Sequence, residues 1–244
     1  MIESILLACT RVCTFSQGRH LTNASGFFFS RGDNLFLVTS RHVIVDEPSK
    51  HFPDRIEIDL HNNAKDFAQS TVFSIPLYRK RTGVWHQGRD SGGHVDVAVI
   101  KIDPEAMPTN AVFRSFTPEH LGKNFEQIDV GTSLLVVGFP LGFHDTLHHL
   151  PVVRQAAIAS SFGIRFQGEG YFLTDARTHR GTSGAPVVMR ARDDKKPFDE
   201  LPWMLLGVHS TRLDVDTRDI KIDEALGLNC AWYADILMTL TEPE

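Results

Sequence analysis

The sequence predicts an all-β protein, and three observations carry that expectation. Short runs rich in Val, Ile, Phe and Thr recur between turns marked by Gly, Pro, Asn and Asp. The segment Arg55-Ile56-Glu57-Ile58-Asp59-Leu60 alternates with the period of two that a half-buried strand requires. A length of 244 residues suits one large unit or two small barrels sharing a core. Hydrophobic content of 42% with 23% charged residues is that of an ordinary globular chain and excludes disorder.

The elements follow in chain order. Residues 6–15, 26–29 and 35–39 read as strands, and Arg31-Gly32-Asp33-Asn34 as the hairpin turn joining the last two. Residues 55–60 and 95–102 complete a first half, assigned to residues 1–110. The stretch 103–128 contains Pro104, Pro108 and Pro118 and keeps no period, as a crossover would. Strands near 133–137, 152–160, 170–174, 186–189, 203–209 and 228–232 fill a second half, residues 111–244. Trp232, Tyr233, Ile236, Leu237 and Leu240 have helical spacing, so an amphipathic helix is expected to close the chain.

Three motifs carry chemistry. Thr39-Ser40-Arg41-His42-Val43 follows an apolar run, Asp96 opens Val97-Ala98-Val99-Ile100, and Gly181-Thr182-Ser183-Gly184-Ala185-Pro186 brackets a serine with glycines. A hydroxyl is a weak nucleophile at neutral pH and needs an imidazole to take its proton and a carboxylate to orient that imidazole. Glycines beside the serine allow the tight turn that aims backbone N–H groups at one point. His42, Asp96 and Ser183 are therefore the candidate catalytic residues, with Asp90 as an alternative carboxylate.

With Gly26-Phe27-Phe28-Phe29, Val137-Gly138-Phe139-Pro140-Leu141-Gly142, Thr174-Asp175-Ala176 and Gly207-Val208-His209-Ser210 added, the chain resembles the trypsin/chymotrypsin-like serine peptidases. It is most similar to their short bacterial branch related to the high-temperature-requirement proteases. The resemblance implies two antiparallel Greek-key β-barrels with a C-terminal helix. It makes Ser183 the nucleophile, His42 the general base and Asp96 its partner, with the oxyanion hole at the amides of Gly181 and Ser183. It implies no metal and no organic cofactor. In secreted relatives an aspartate before the nucleophile pairs with a new N-terminus; Thr182 stands there, so activation by N-terminal insertion is not expected.

The resemblance also frames a primary pocket with Arg177, Thr178 and the strand carrying His209 and Ser210. A Gly-x-His strand opposite such a threonine is similar to the glutamyl endopeptidases and to the glutamine-preferring picornaviral cysteine proteases. His209 and Thr178 would donate to a substrate oxygen, and Arg177 or Arg180 would favour its charge. Glutamate before the scissile bond is expected first and glutamine second. His179 and Arg180 replace residues that are usually smaller in relatives.

Other features set the class of partner. A net charge of −5 gives no footprint for nucleic acid, and Arg79-Lys80-Arg81 and Lys195-Lys196 read as solvated loop charge. The segment from Arg190 to Lys196 reads as a charged hairpin tip. His144, Asp145, His148 and His149 cluster without a recognised metal-ligand spacing and read as a loop. No apolar run approaches a membrane span, and Met1 to Leu7 lacks the basic start of a secretory signal. Cys9, Cys13 and Cys230 do not form a paired framework, so a reducing, cytoplasmic setting is expected. The partner is then a protein or peptide substrate. With no appended peptide-binding module, the expectation is a processing protease acting on a partner protein. A non-catalytic binding module or an esterase on the same fold is the alternative.

Overall fold

The computed structural model describes residues 2–122, 128–191, 201–210 and 227–242. The first half is built from β1 (Cys9–Ser16), β2 (Arg19–Arg31), β3 (Asn34–Thr39), β4 (Arg55–His61), β5 (Ser70–Pro76), a small hairpin of β6 (Tyr78–Arg79) and β7 (Thr82–Gly83), β8 (Trp85–Asp90) and β9 (Gly93–Ile102). The second half holds β10 (Ser133–Gly138), β11 (Val152–Ile158), β12 (Tyr171–Asp175), β13 (Pro186–Arg190), β14 (Trp203–Ser210) and β15 (Leu228–Tyr233), followed by a helix Ile236–Leu240.

The second half is a closed antiparallel barrel in the order β10-β11-β12-β15-β14-β13. The first is one antiparallel sheet, β5-β4-β1-β2-β3-β9-β8, whose end strands share no ladder. Where a first barrel was expected, the ladders among the described residues leave an open sheet. Strand periodicity explains the pairing: β4 alternates half-buried and buried residues, placing Ile56, Ile58 and Leu60 inward. The β2–β3 hairpin turns at Gly32 and Asp33, where Gly32 takes a φ of 57° that glycine adopts without strain.

Each half has its own interior core. Val12, Phe28, Leu37, Ile56 and Ile100 fill the first, and Val136, Phe172, Val187, Leu206 and Ala231 the second. A third core joins the halves, with Phe27, Phe29, Val97 and Val99 packed with Val137, Tyr171, Val208, Trp232 and Leu237. This shared core fixes the position of one half against the other, and the site lies across that seam.

Two expectations are corrected. The first strand begins at Cys9, because Ser4–Ala8 forms a 3-10 turn that buries Ile5 and Leu7. The terminal helix is five residues long, and Trp232 and Tyr233 belong to β15, paired with Tyr171 and Gly207. Their helical spacing arose from a strand running into a helix. The Arg190–Lys196 tip and Lys195-Lys196 fall largely outside the described residues. Among the described residues no helix is long and apolar enough to cross a membrane, and the three cysteines form no disulfide.

Candidate active site

His42 sits on a one-turn helix, Arg41–Ile44, immediately after β3, whose Leu37 and Val38 are fully buried and anchor the strand end. Asp96 lies on β9 ahead of the buried run Val97 to Ile100. The two residues meet at two points. The His42 backbone N–H donates to Asp96 Oδ1 at 2.8 Å, and its ring Nδ1 lies 2.7 Å from Oδ2. A carboxylate oxygen only accepts, so Nδ1 carries the proton and Nε2 is left with its lone pair. The Ser210 hydroxyl donates to the same Oδ2 at 2.9 Å. Burial pushes the Asp96 pKa up, but the charge and hydrogen bonds of His42 and the Ser210 bond outweigh it, and the carboxyl is held below its ordinary value.

Ser183 is buried in the loop before β13. Gly181 and Gly184 take φ of 92° and 85°, in the region that L side chains avoid. A Cβ at Gly181 would stand 2.6 Å from the Phe139 carbonyl oxygen, and one at Gly184 would collide with the Ser25 carbonyl and the Thr39 hydroxyl. Gly184→Ala is therefore expected to cost roughly 2–5 kcal/mol, from the strained φ and the backbone clash together. Urea denaturation checks this, and an unchanged midpoint would contradict the geometry.

Ser25 is a site residue that sequence reading does not single out. Its N–H donates to the Ser183 carbonyl at 2.9 Å, and its hydroxyl donates to the Gly181 carbonyl at 2.8 Å. The same hydroxyl accepts from the Phe139 N–H at 2.9 Å. The Leu141 N–H holds the Arg180 carbonyl at 2.6 Å. These bonds turn the loop's carbonyls aside, and the Gly181 N–H carries no hydrogen bond among the described residues. A free donor beside a buried serine is what an oxyanion requires. A lone serine before Gly26 gives no periodic or motif signal, so only the fold reveals it.

The pocket residues are distributed differently from expectation. Ser210, expected to line the pocket, turns its hydroxyl to Asp96. Arg177, His179 and Arg180 are exposed. Thr178 is half-buried and donates to Asn229 Oδ1 at 2.6 Å. His209 is fully buried, and neither ring nitrogen has a hydrogen-bond partner among the described residues. Its backbone is laced to the nucleophile loop, with Gly184 N–H donating to His209 O and His209 N–H to Ala185 O, both at 2.8 Å. Thr182 is buried with an unpartnered hydroxyl. Asp90 pairs with Arg165 and not with His42.

Burial, and next the His42 charge, push the His209 pKa down from 6.5 to about 3. Below about pH 6.5 the unfolded chain binds a proton that the folded chain refuses, so stability falls as pH drops toward about 3. The expected slope is up to about 1.4 kcal/mol per pH unit. Asp96 works lower: its contribution is present above the ordinary carboxylate value and is lost as pH falls through its depressed folded pKa. Unfolding midpoints between pH 4 and 7 should therefore lose most of their slope in His209→Gln, and an equal slope in both proteins would contradict the burial argument.

The histidine cluster resolves into local bonds. His148 Nδ1 pairs with Asp145 Oδ2 at 2.8 Å, and His144 Nδ1 bonds the Gly142 carbonyl at 2.6 Å. His149 Nδ1 lies 4.0 Å from Asp59 Oδ2. No group of three metal-ligating side chains is present among the described residues.

Comparison with known proteins agrees with this fold. The chain is similar in fold to an HtrA-type protease, AlgW, solved with a tripeptide (18% identity, TM-score 0.54, covering 96% of this chain and 58% of that one). It is also similar to a serine endoprotease from Yersinia pestis (20% identity, TM-score 0.54, covering 97% of this chain and 62% of that one). The chain thus spans less than two thirds of either protein. No curated protein matches it in sequence. The trypsin-like peptidase domain family matches residues 24–193, a span that includes His42, Asp96 and Ser183. With well over half of its length on that match, the chain belongs to the trypsin-like peptidase domain family.

Proposed function

We propose that the protein cleaves peptide bonds through an acyl-enzyme on Ser183, with His42 as general base and Asp96 as its orienting partner. The observation that carries this reading is the two-point bond between His42 and one buried carboxylate. It holds the imidazole in the tautomer whose Nε2 can accept a proton. In the first step the Ser183 hydroxyl loses its proton to Nε2 as its oxygen bonds the scissile carbonyl carbon. The same proton then passes to the leaving amine, and water repeats the sequence to release the acid. The Gly181 and Ser183 amides stabilise the tetrahedral oxyanion.

The residue before the scissile bond is glutamate or glutamine, read by the floor that includes His209 and Thr178. A pocket with polar groups to satisfy rejects most side chains, which supports processing of a few partner proteins over general degradation. Three cysteines that form no disulfide support a reducing, cytoplasmic setting. The test is labelling with a fluorophosphonate probe together with proteome-wide cleavage-site profiling against Ser183→Ala. Labelling at Ser183 with cleavage lost in the variant supports the reading. An unlabelled, folded protein would be a binding module on the same fold, and a labelled one that cuts esters but no protein would be an esterase.

A further inference from the structure

The inner face of the closed barrel ends beside Ser183 in polar side chains without partners. Phe172, Leu206 and Ala231 belong to the barrel's interior core. Strand alternation carries that face on to Thr174 in β12 and Asn229 in β15, which pair across the ladder. It reaches His209 in β14, paired with Ala231. Thr174 and His209 are both fully buried, and neither Thr174 Oγ1 nor either His209 nitrogen has a partner among the described residues. Buried polar groups left unpaired are costly. Two such side chains on one face, one of them bonded through its backbone to the nucleophile loop, mark a place that a ligand group completes.

The inventory of protons decides which group. Asn229 Nδ2 donates to the carbonyls of Ala176, at 2.8 Å, and Gly227, at 3.3 Å, which fixes the amide with its oxygen toward Thr178. That oxygen only accepts, so the Thr178 proton is committed to it. Thr178 therefore offers lone pairs to anything else. Thr174 offers one proton and lone pairs. His209 is neutral at physiological pH and offers one N–H and one lone pair. This is a mixed set of donors and acceptors, and Arg177 and Arg180, the arginines nearest in sequence, are exposed. A carboxylate only accepts and would face the lone pairs of Thr178 and the imidazole. A primary amide brings one acceptor and two donors.

We propose that this pocket selects a primary amide over a carboxylate, so that cleavage follows glutamine in preference to glutamate, with Asn229 as the positioning residue that makes Thr178 an acceptor. The proposal rests on the peptidase reading above and on His209 lining the primary pocket. It reverses the order expected from sequence, which needed Thr178 as a donor and an arginine for charge.

The test compares kcat/KM for peptides that differ only before the scissile bond, carrying glutamine, glutamate, leucine or lysine, on protein titrated for active sites. Glutamine should exceed glutamate by on the order of 10²-fold. Asn229→Ala frees the Thr178 proton to donate, and should bring the ratio within about tenfold by raising glutamate relative to glutamine. A merely structural loss would lower both rates and leave their ratio. Should Asn229→Ala not fold, Thr178→Val reads the same point, lowering glutamine but not glutamate, while Thr178→Ser keeps the preference. Wild-type preference for glutamate overturns the proposal and leaves the pocket standing. Cleavage only after leucine or lysine overturns the pocket assignment beneath it. A glutamine preference that neither Asn229→Ala nor Thr178→Val moves overturns the part given to Asn229.

Discussion

Ser183→Ala is expected to lower turnover on peptides and esters by roughly 10⁶-fold, because the atom that forms the acyl bond is gone and the remaining members then have nothing to activate. The fold should survive. The hydroxyl is one group in a loop held by backbone bonds, from Ser25 N–H to the Ser183 carbonyl and from Gly184 N–H to the His209 carbonyl, and alanine keeps both. The check is single-turnover and steady-state kinetics on highly purified protein, with thermal unfolding measured in parallel. Retained cleavage within about 10²-fold of wild type would remove Ser183 from the mechanism.

Asp96→Asn should be the next most damaging change, with an expected loss in kcat of about 10⁴-fold. The reason lies in the donors that converge on this carboxylate. His42 N–H approaches one oxygen, while His42 Nδ1 and the Ser210 hydroxyl approach the other. An asparagine of the same shape must turn its NH₂ toward one of these positions. If it faces the ring, the imidazole takes the other tautomer and Nε2 carries the proton that it should be removing. If it faces the backbone N–H, two donors oppose and the helical turn Arg41–Ile44 loses its anchor. Kinetics at several pH values distinguish this from a simple loss of binding, since KM should change far less than kcat. A loss of only tenfold would mean that Asp96 does not orient the base.

Much of this was legible in the sequence, for identifiable reasons. Strands that bury one face, such as β3, β4 and β10, announce themselves by alternation or by a compact apolar run. The motif residues stand at strand ends, where chemistry must interrupt the pattern. β5 and β8 were not legible, because Ser70–Pro76 is mostly exposed and Trp85–Asp90 is polar and broken by Gly88. Neither carries the contrast on which periodicity depends. The residues of the proposed pocket were legible only as a set of names. That Thr178 faces Asn229, and that Ser210 serves Asp96, depends on the register of β12, β14 and β15, which a one-residue slip would invert. Ser25 left no mark at all, since its role exists only once β2 meets the loop after β12.

That serine has a consequence for how the protein fails. Ser25 belongs to the first half, yet its side chain and amide set the Gly181 and Ser183 carbonyls of the second. Turnover is thereby a gauge of docking rather than of folding within either half. A slight parting of the seam would silence the enzyme while both sheets kept their hydrogen bonds and their spectroscopic signature. During gentle heating, lost activity should precede lost secondary structure. Fragments separated in the crossover should be inert apart and regain turnover only as they reassociate.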